Sequence, residues 1–387
     1  MLLIENAEIY GPEHKGTKDI LICGEKIHLI KEEINSDRLT DFRDLEMIDA
    51  SELIAIPGFI DHHVHFNGAG GEGGPKNRTP PLQLSDLTRS GITSAVGLLG
   101  ADGITRSLKD LLMKARALDD EGISTWIYTG AYQIPSPTIT EDVITDIITV
   151  DKVIGVKIAV SDHRSSHPTV EDLRKIVSDA RIGGMLAGDA GIVKVHVGDE
   201  DSGLDPLIEA VEDTDIPIEQ WAPTHINRNK RLLKQSIEFA EKGGFVDITV
   251  GEPSDDANSG PSSDIKYLLE RGVPIEKIKM STDAGGSLPE FDDKGELVGM
   301  RSASPVHLKE VFKNLVKEDG VSIEDAVRMT STNIAEQLRF ADKGEISAGK
   351  DADILLLDEG TLEIDHVIAK GDVVVQKGQT VRYGTYE

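Results

Sequence analysis

The stretch Leu53–Phe66, LIAIPGFIDHHVHF, decides how this chain folds. An apolar run comes first, Pro57 and Gly58 punctuate it, and a charged, histidine-rich tip ends it. Strands buried on both faces of a parallel sheet read as continuous Val/Ile/Leu. One that ends in polar residues at its C-terminal tip fits a barrel strand delivering groups to an active site. Side chains alternate with a period of two, so His63 and His65 share one face while His62 and Val64 share the other. Two imidazoles on one face can grip a single ion, imidazole being the commonest metal ligand. A lone histidine at a strand end is more often packed or solvated, so the pair needs company.

Outward from this stretch, residues 57–340 alternate short apolar runs with longer helix-like segments. The runs are IAIPGFIDHHVHF, GITSAVGLLG, STWIYTGAY, VIGVKIAVSD, GIVKVHVGD, QWAPTHI, GFVDITVG and KIKMSTDAG, eight in all. Between them RSLKDLLMKARALDDEG, VEDLRKIVSDARIGG, NKRLLKQSIEFAEKGG and HLKEVFKNLVKEDG carry helical periodicity, with glycine at the ends where helices stop. Eight strand–helix units joined by right-handed crossovers suit an α/β fold, a (β/α)8 TIM-like barrel. An open doubly wound sheet is the alternative, but no glycine-rich dinucleotide fingerprint follows the first strand.

The flanks have another rhythm. Residues 1–56 (LLIENAEIY, DILICGEKIHLI, LEMIDASELI) and 341–387 (DADILLLD, DHVIAKGDVVVQKG, QTVRYG) read as short strands in antiparallel hairpins. Both ends are expected to meet in one small β-sandwich domain.

A barrel demands that functional residues lie at the C-terminal ends of its strands. Lys157 stands in the fourth run, His196 in the fifth, His225 in the sixth and Asp283 in the eighth. With His63 and His65, one rim collects four histidines, a lysine and an aspartate. Singly each reads as structural; matching positions in five runs do not.

Composition narrows the partners. The 387 residues, 39% hydrophobic, support a sizeable core. Acidic residues number 69 against 41 basic, a formal charge of −28 with no Lys/Arg-rich run. Nucleic acid and anionic membranes are poor partners for such a surface. The lone Cys23 cannot form an internal disulfide and reads as a small buried apolar side chain. With no leader pattern and no apolar run of the ~18–20 residues a span needs, a cytoplasmic protein is expected.

The segments PGFIDHHVHFNGAGGEGGP, SAVGLLG, GAYQIPSPTIT, VIGVKIAVSDHRSS, VHVGD, PTHINRN, EFAEKGGFVDIT, STDAGGSLPEFDD and GEISAGKDADILLLD resemble the amidohydrolase superfamily of metal-dependent hydrolases, and within it the isoaspartyl dipeptidases. The resemblance implies two zinc ions per chain: His63 and His65 on the more buried ion, His196 and His225 on the more exposed one. Asp283 would approach the first ion and the water between the two, and Lys157 would bridge both ions after carboxylation by CO2. An ammonium is no metal ligand, whereas its carbamate is anionic with two oxygens and can span ions ~3.5–4 Å apart; a structural ion pair is the plainer reading of Lys157. A hydroxide between two Lewis acids is a nucleophile at neutral pH. Asp283 would shuttle its proton, and Tyr132 would polarise the carbonyl, with barrel packing the plainer reading of Tyr132.

A dipeptide presents one ammonium and carboxylates, so its site needs an acid and guanidinium forks. The resemblance assigns Gly70, Gly71 and Glu72 to the substrate end, Arg164 and Arg228 to carboxylates, and Ser287 to a further hydrogen bond. Read alone, GAGGEGGP is a flexible loop and the arginines are surface charges. Ala101 stands where the family has a hydroxyl contact, a departure worth ~0.5–1.5 kcal/mol for one hydrogen bond. Strand parity points His62 away from the metals; His163 reads as supporting or structural; His14, His28, His167, His307 and His366 lack ligand context. Two rim loops, EPSDDANSGPSSD and GGSLPEFDDKGELVGMRSASP, are expected to close over substrate. The resemblance implies cleavage of β-aspartyl dipeptides by a homo-oligomer, an octamer among family members. The rivals are an N-acyl amino acid deacylase or cyclic amidase using the same centre, and a non-catalytic barrel scaffold.

Overall fold

The computed structural model describes residues 1–36, 39, 44–251, 260–291 and 297–387. Five strands come first: β1 (Leu2–Tyr10), β2 (His14–Cys23), β3 (Lys26–Lys31), β4 (Glu46–Asp49) and β5 (Leu53–Pro57). The eight runs then form β6 (Phe59–Val64), β7 (Ile92–Gly97), β8 (Ser124–Gly130), β9 (Val153–Val160), β10 (Ile192–Val197), β11 (Trp221–Thr224), β12 (Val246–Thr249) and β13 (Ile278–Ser281). Parallel ladders join β6 through β11 in chain order, and another joins β12 to β13. The bridge Val64–Ala284 links the last strand to the first, while the Thr224 and Thr249 hydroxyls, 3.5 Å apart, link β11 to β12. The sheet thus curls into the expected TIM-like barrel.

Helices α1 (Leu84–Thr88), α2 (Leu108–Glu121), α3 (Val143–Thr149), α4 (Val170–Ala187), α5 (Asp205–Val211), α6 (Lys230–Glu241) and α7 (Pro261–Glu270) cover the crossovers. A hairpin of β14 (Ser287–Phe291) and β15 (Leu297–Ser302) precedes α8 (His307–Lys317). Local chemistry explains these helices. In α4 the Thr169 hydroxyl caps Asp172 N–H and the Asp172 carboxylate returns the bond, a capping box. Leu173, Ile176, Val177 and Ala180 bury one face at helical spacing, and Gly188 at φ +84° ends the helix in the left-handed region.

The barrel interior is layered. Its floor is apolar, where Ile60, Val96, Tyr128 and Ile192 meet Ile334 and Leu338 of α10 (Asn333–Leu338), which a π turn joins to α9 (Ile323–Val327). Asn333 Nδ2 fastens α10 to the barrel by donating to the carbonyls of Ile275 and Ile278, 2.8 Å each. Next comes an ionic layer: Lys194 Nζ lies 2.7 Å from Asp247 Oδ2 and 3.0 Å from His62 Nδ1. Burying such charges costs several kcal/mol each unless they are paired. Two residues on from Lys194 along β10 stands His196, in the uppermost layer.

His62 faces this interior because β6 carries a bulge. Asp61 pairs with Ala95 and Val64 with Gly97, so β6 holds one residue more than its neighbour. Strict alternation therefore fails at the histidines. Val64 joins the apolar layer under the helices, while His62 turns inward onto Lys194 and Asp247. The two do not share a face.

The chain ends build the small domain. With β16 (Ile354–Asp358), β17 (Ile364–Ala369), β18 (Asp372–Gln376) and β19 (Gln379–Thr380) they form one sheet in the order β19-β18-β17-β16-β5-β1-β2-β3, with β4 also on β1. DILICGEKIHLI is a hairpin turning at Gly24 (φ +60°). By contrast β4 and β5 pair with β1 in parallel rather than as hairpins. The sheet folds over so that Ile27 exchanges backbone bonds with Gly349 and Lys350, enclosing Ile4, Ile9, Ile20, Ala55, Ile354 and Leu356 as a sandwich core. Cys23 is half-buried on the outer face beside Leu3 and Leu21. Residues 252–259 and 292–296 of the two expected closing loops lie outside the described residues. Among the described residues no helix is long and apolar enough to cross a membrane.

Candidate active site

Each barrel strand hands its residues to one mouth. Past β11 and β13 the chain turns through the left-handed region at His225 (φ +62°) and Asp283 (φ +57°), which aims both side chains back over the opening. Non-glycine residues in this region are uncommon, and such strain concentrates at functional sites. Asp283 Oδ1 lies 3.1 Å from Nε2 of His63 and 3.1 Å from Nε2 of His65. Asp61, behind this tip, accepts from the backbone N–H of His63 (3.1 Å) and from the Thr282 hydroxyl, tying β6 to β13.

Across the mouth the rings of His63 and His225 are 5.2 Å apart, and those of His225 and His196 are 4.7 Å apart. The Thr249 hydroxyl, 2.9 Å from His225 Nδ1, leaves Nε2 turned toward the centre. Lys157 sits inside β9 rather than at its tip, wholly buried, and among the described residues its Nζ has no hydrogen-bond partner. Burial, with the neighbouring Lys194 ammonium, holds its amine well below the ordinary lysine range. Gly130 at the end of β8 makes room beside it: a Cβ there would meet the Lys157 carbonyl oxygen at 2.4 Å. From that glycine the chain crosses to Tyr132, whose carbonyl accepts Ala159 N–H at 3.2 Å and whose hydroxyl reaches His196 Nδ1 at 2.7 Å.

These residues fit metal ions. His63, His225 and Asp283 each offer a ligand atom, all within 4.8 Å of one another. Burial keeps His63 and His225 well below the ordinary histidine range and pushes His196 down to about 3, so the imidazoles are neutral, as metal ligation requires. The Lys157 amine, like Nδ1 of His63 and of His65, is a buried polar group left without a partner among the described residues, and a buried amine without a partner is costly.

Above them opens a cavity of ≈ 840 Å³. Gly70, Glu72, Ala101, Tyr132, Arg164, Arg228 and Ser287 all line it; Gly71 does not, its N–H being bound to the Asn77 carbonyl at 2.9 Å. His163 stands at its edge, exposed. Arg164 is no loose surface charge: it grips both oxygens of Asp162 (2.9 and 2.7 Å) and reaches Glu72 Oε1 at 3.1 Å. Arg228 is the freer fork, 3.6 Å from the exposed Asp199. Asp162, Thr249, Asn227 and Asp264 also line the cavity, though no motif singles them out. Asp162 lies within the VSDHRSS string, and Thr249 shares the inward parity of Asp247.

The amidohydrolase family pattern matches residues 54–374, and the chain belongs to that family. Within it, the chain is similar along its whole length to a beta-aspartyl dipeptidase from the thermophilic, keratin-degrading Fervidobacterium islandicum AW-1, whose structure holds a beta-Asp-Leu dipeptide. The two are 41% identical with a TM-score of 0.90, covering 98% of each chain. A D-hydantoinase shares the fold alone, at 17% identity and a TM-score of 0.70 over 100% of this chain and 97% of that one. Two curated relatives are adenine deaminases: one of Rhizobium meliloti strain 1021, 24% identical over 96% of this chain, and one of Clostridium perfringens strain 13, 24% identical over 100% of it. The chain spans only 59% and 60% of the length of these two.

Proposed function

We propose that the protein is a metal-dependent dipeptidase hydrolysing the β-aspartyl (isoaspartyl) linkage. One observation carries this reading: a single cavity sets the histidine and carboxylate cluster at its floor and Glu72, Arg164 and Arg228 on its walls. The full-length similarity to a beta-aspartyl dipeptidase supports it. His63, His65, Asp283 and a carboxylated Lys157 would hold one zinc ion and His196 and His225, with the same lysine, a second; such ions would supply Lewis acidity at the cavity floor.

The chain's own groups do the rest. Asp283 takes the proton of the attacking water on its carboxylate and returns it to the leaving amine. The Tyr132 hydroxyl, which burial keeps protonated, donates to the carbonyl oxygen as charge develops there. Glu72 receives the substrate ammonium and Arg228 and Arg164 its carboxylates, while Gly70 and Ser287 line the aspartyl end. Ala101 offers no hydroxyl there. The catalytic unit is taken as residues 57–340, with 1–56 and 341–387 as the small domain. A cytoplasmic homo-oligomer, on the pattern of octameric family members, completes the reading.

The experiment is hydrolysis of β-aspartyl-leucine beside its α-aspartyl isomer, with metals counted on the same sample. Isomer-selective cleavage with about two ions per chain is expected. Two ions without cleavage would move the substrate to another amide, an N-acyl amino acid or cyclic one. No metal and no cleavage would leave a scaffold.

A further inference from the structure

We propose that Asp162 is the positioning residue of this site, fixing His196 as an acceptor toward the metal centre and Arg164 as a fork on the cavity wall, both through one carboxylate; the proposal rests on the metal-dependent dipeptidase reading. Asp162 follows β9 by two residues and is buried, only 3% exposed. Four bonds saturate it. Its Oδ1 accepts from Arg164 N–H (2.8 Å) and Arg164 Nε (2.9 Å), and its Oδ2 from Arg164 Nη2 (2.7 Å) and His196 Nε2 (2.8 Å).

An ionised carboxylate only accepts, so the His196 nitrogen facing it carries the proton. That assigns the tautomer: Nε2–H is spent on Asp162, and Nδ1 keeps its lone pair, at which the Tyr132 hydroxyl points from 2.7 Å. The 3.2 Å between Arg164 Nη2 and His196 Nε2 is then no hydrogen bond but the spacing of two donors converging on one oxygen. Carboxylates that accept from the far nitrogen of a ligand imidazole raise its basicity and fix its ring, and losing them costs 10–100-fold in metal affinity.

The same oxygens hold Arg164. Without them its remaining carboxylate partner is Glu72, at 3.1 Å, and a fork drawn onto Glu72 takes from the substrate both its carboxylate receptor and its ammonium receptor. No amide can replace this group. Both oxygens face two donors, so an amide, whichever way it turns, sets its own N–H groups against other donors. Asp162→Asn therefore tests the charge with the shape kept.

Histidine labelled with 15N reports the tautomer in metal-free protein, with His196→Gln giving the assignment. Wild type should hold His196 wholly as the Nε2–H form; Asp162→Asn should shift it to a mixture with Nδ1–H. After dialysis against a weak chelator, wild type should retain two zinc ions and Asp162→Asn one, a 10–100-fold weakening confined to one ion. KM for β-aspartyl-leucine should rise at least about tenfold, more than the fall in kcat. An unchanged Nε2–H signal together with unchanged zinc retention would overturn the proposal. If Asp162→Asn does not fold, Arg164→Met keeps it testable, since the tautomer should persist there while KM rises; a tautomer lost in Arg164→Met would count against Asp162 acting by itself. Because the tautomer is read without metal or substrate, failure of wild type to cleave the dipeptide would overturn the functional reading and leave this result standing.

Discussion

The Tyr132 hydroxyl lies 2.7 Å from Nδ1 of His196, so the group proposed to steady the carbonyl oxygen rests against a proposed metal ligand. Removing one such preorganised donor costs about 10²–10³ in kcat. Tyr132→Phe should therefore lower kcat for β-aspartyl-leucine by that factor with little change in KM or zinc content. Steady-state kinetics on metal-replete protein check this; a mainly KM effect would place Tyr132 in substrate binding instead.

Lys157 is buried, orphaned and beyond the reach of water. Carboxylation needs its free amine, and an uncharged methionine in its place supplies no oxygen ligand. Lys157→Met should lose activity and at least one zinc ion. The smaller Lys157→Ala should regain part of both when a short carboxylic acid is added, because a free carboxylate can enter the vacated space. Full activity in Lys157→Met would sink the bridging role.

Asp264 lines the cavity, and burial pushes its carboxyl up from 3.8 to about 6. The folded protein thus keeps a proton that the unfolded chain releases. The stability this adds is complete below about pH 4 and is lost as the pH rises through about 6. Because the carboxyl is still partly open to solvent, screening discounts the full value of the shift and holds the change to about 1–2 kcal/mol. In metal-free protein, Asp264→Asn should match wild type near pH 4 and exceed it by up to about that amount at pH 8. Urea unfolding at both values decides; parallel curves for the two proteins would refute the account.

Gly70 stands at φ +83°, and a Cβ there would meet the Asn77 carbonyl oxygen at 2.2 Å. Alanine pays both the left-handed penalty of about 1–2 kcal/mol and a backbone clash. Gly70→Ala should displace the loop that carries Glu72 and raise KM about tenfold, with zinc content unchanged.

Ions that bind only the folded chain stabilise it by mass action, about 4 kcal/mol when free metal exceeds the dissociation constant 1,000-fold. Stripping zinc with a chelator should lower Tm by several degrees, and adding zinc back should restore it. The His63→Gln variant should show a smaller loss. Equal chelator sensitivity in that variant would argue that zinc binds elsewhere.

The barrel was legible because its signals are local and repeated. Eight apolar runs with helical segments between them can be read one at a time, and the ligand candidates fall at like places in each. What escaped depends on pairing between distant strands. The bulge that turns His62 inward is set by the register of β6 on β7, which no window of either strand contains. In the same way the parallel pairing of β4 and β5 with β1 is a choice of partner, while the sequence shows only neighbours. Arg164 was readable as a charge on the rim. Its hold on Asp162, two residues earlier, was not, because that depends on the chain doubling back after β9.

Strand β5 pairs on one side with β1 and on the other with β16, Ile354 standing opposite Pro57. During synthesis the edge of β5 stays open until nearly the whole barrel has left the ribosome. Long-range pairings of this kind form slowly, and an open strand edge invites pairing with other chains. The small sheet is thus the last part of the molecule to be sealed, and the step most exposed to aggregation when the protein is made quickly or cut short before Ile354.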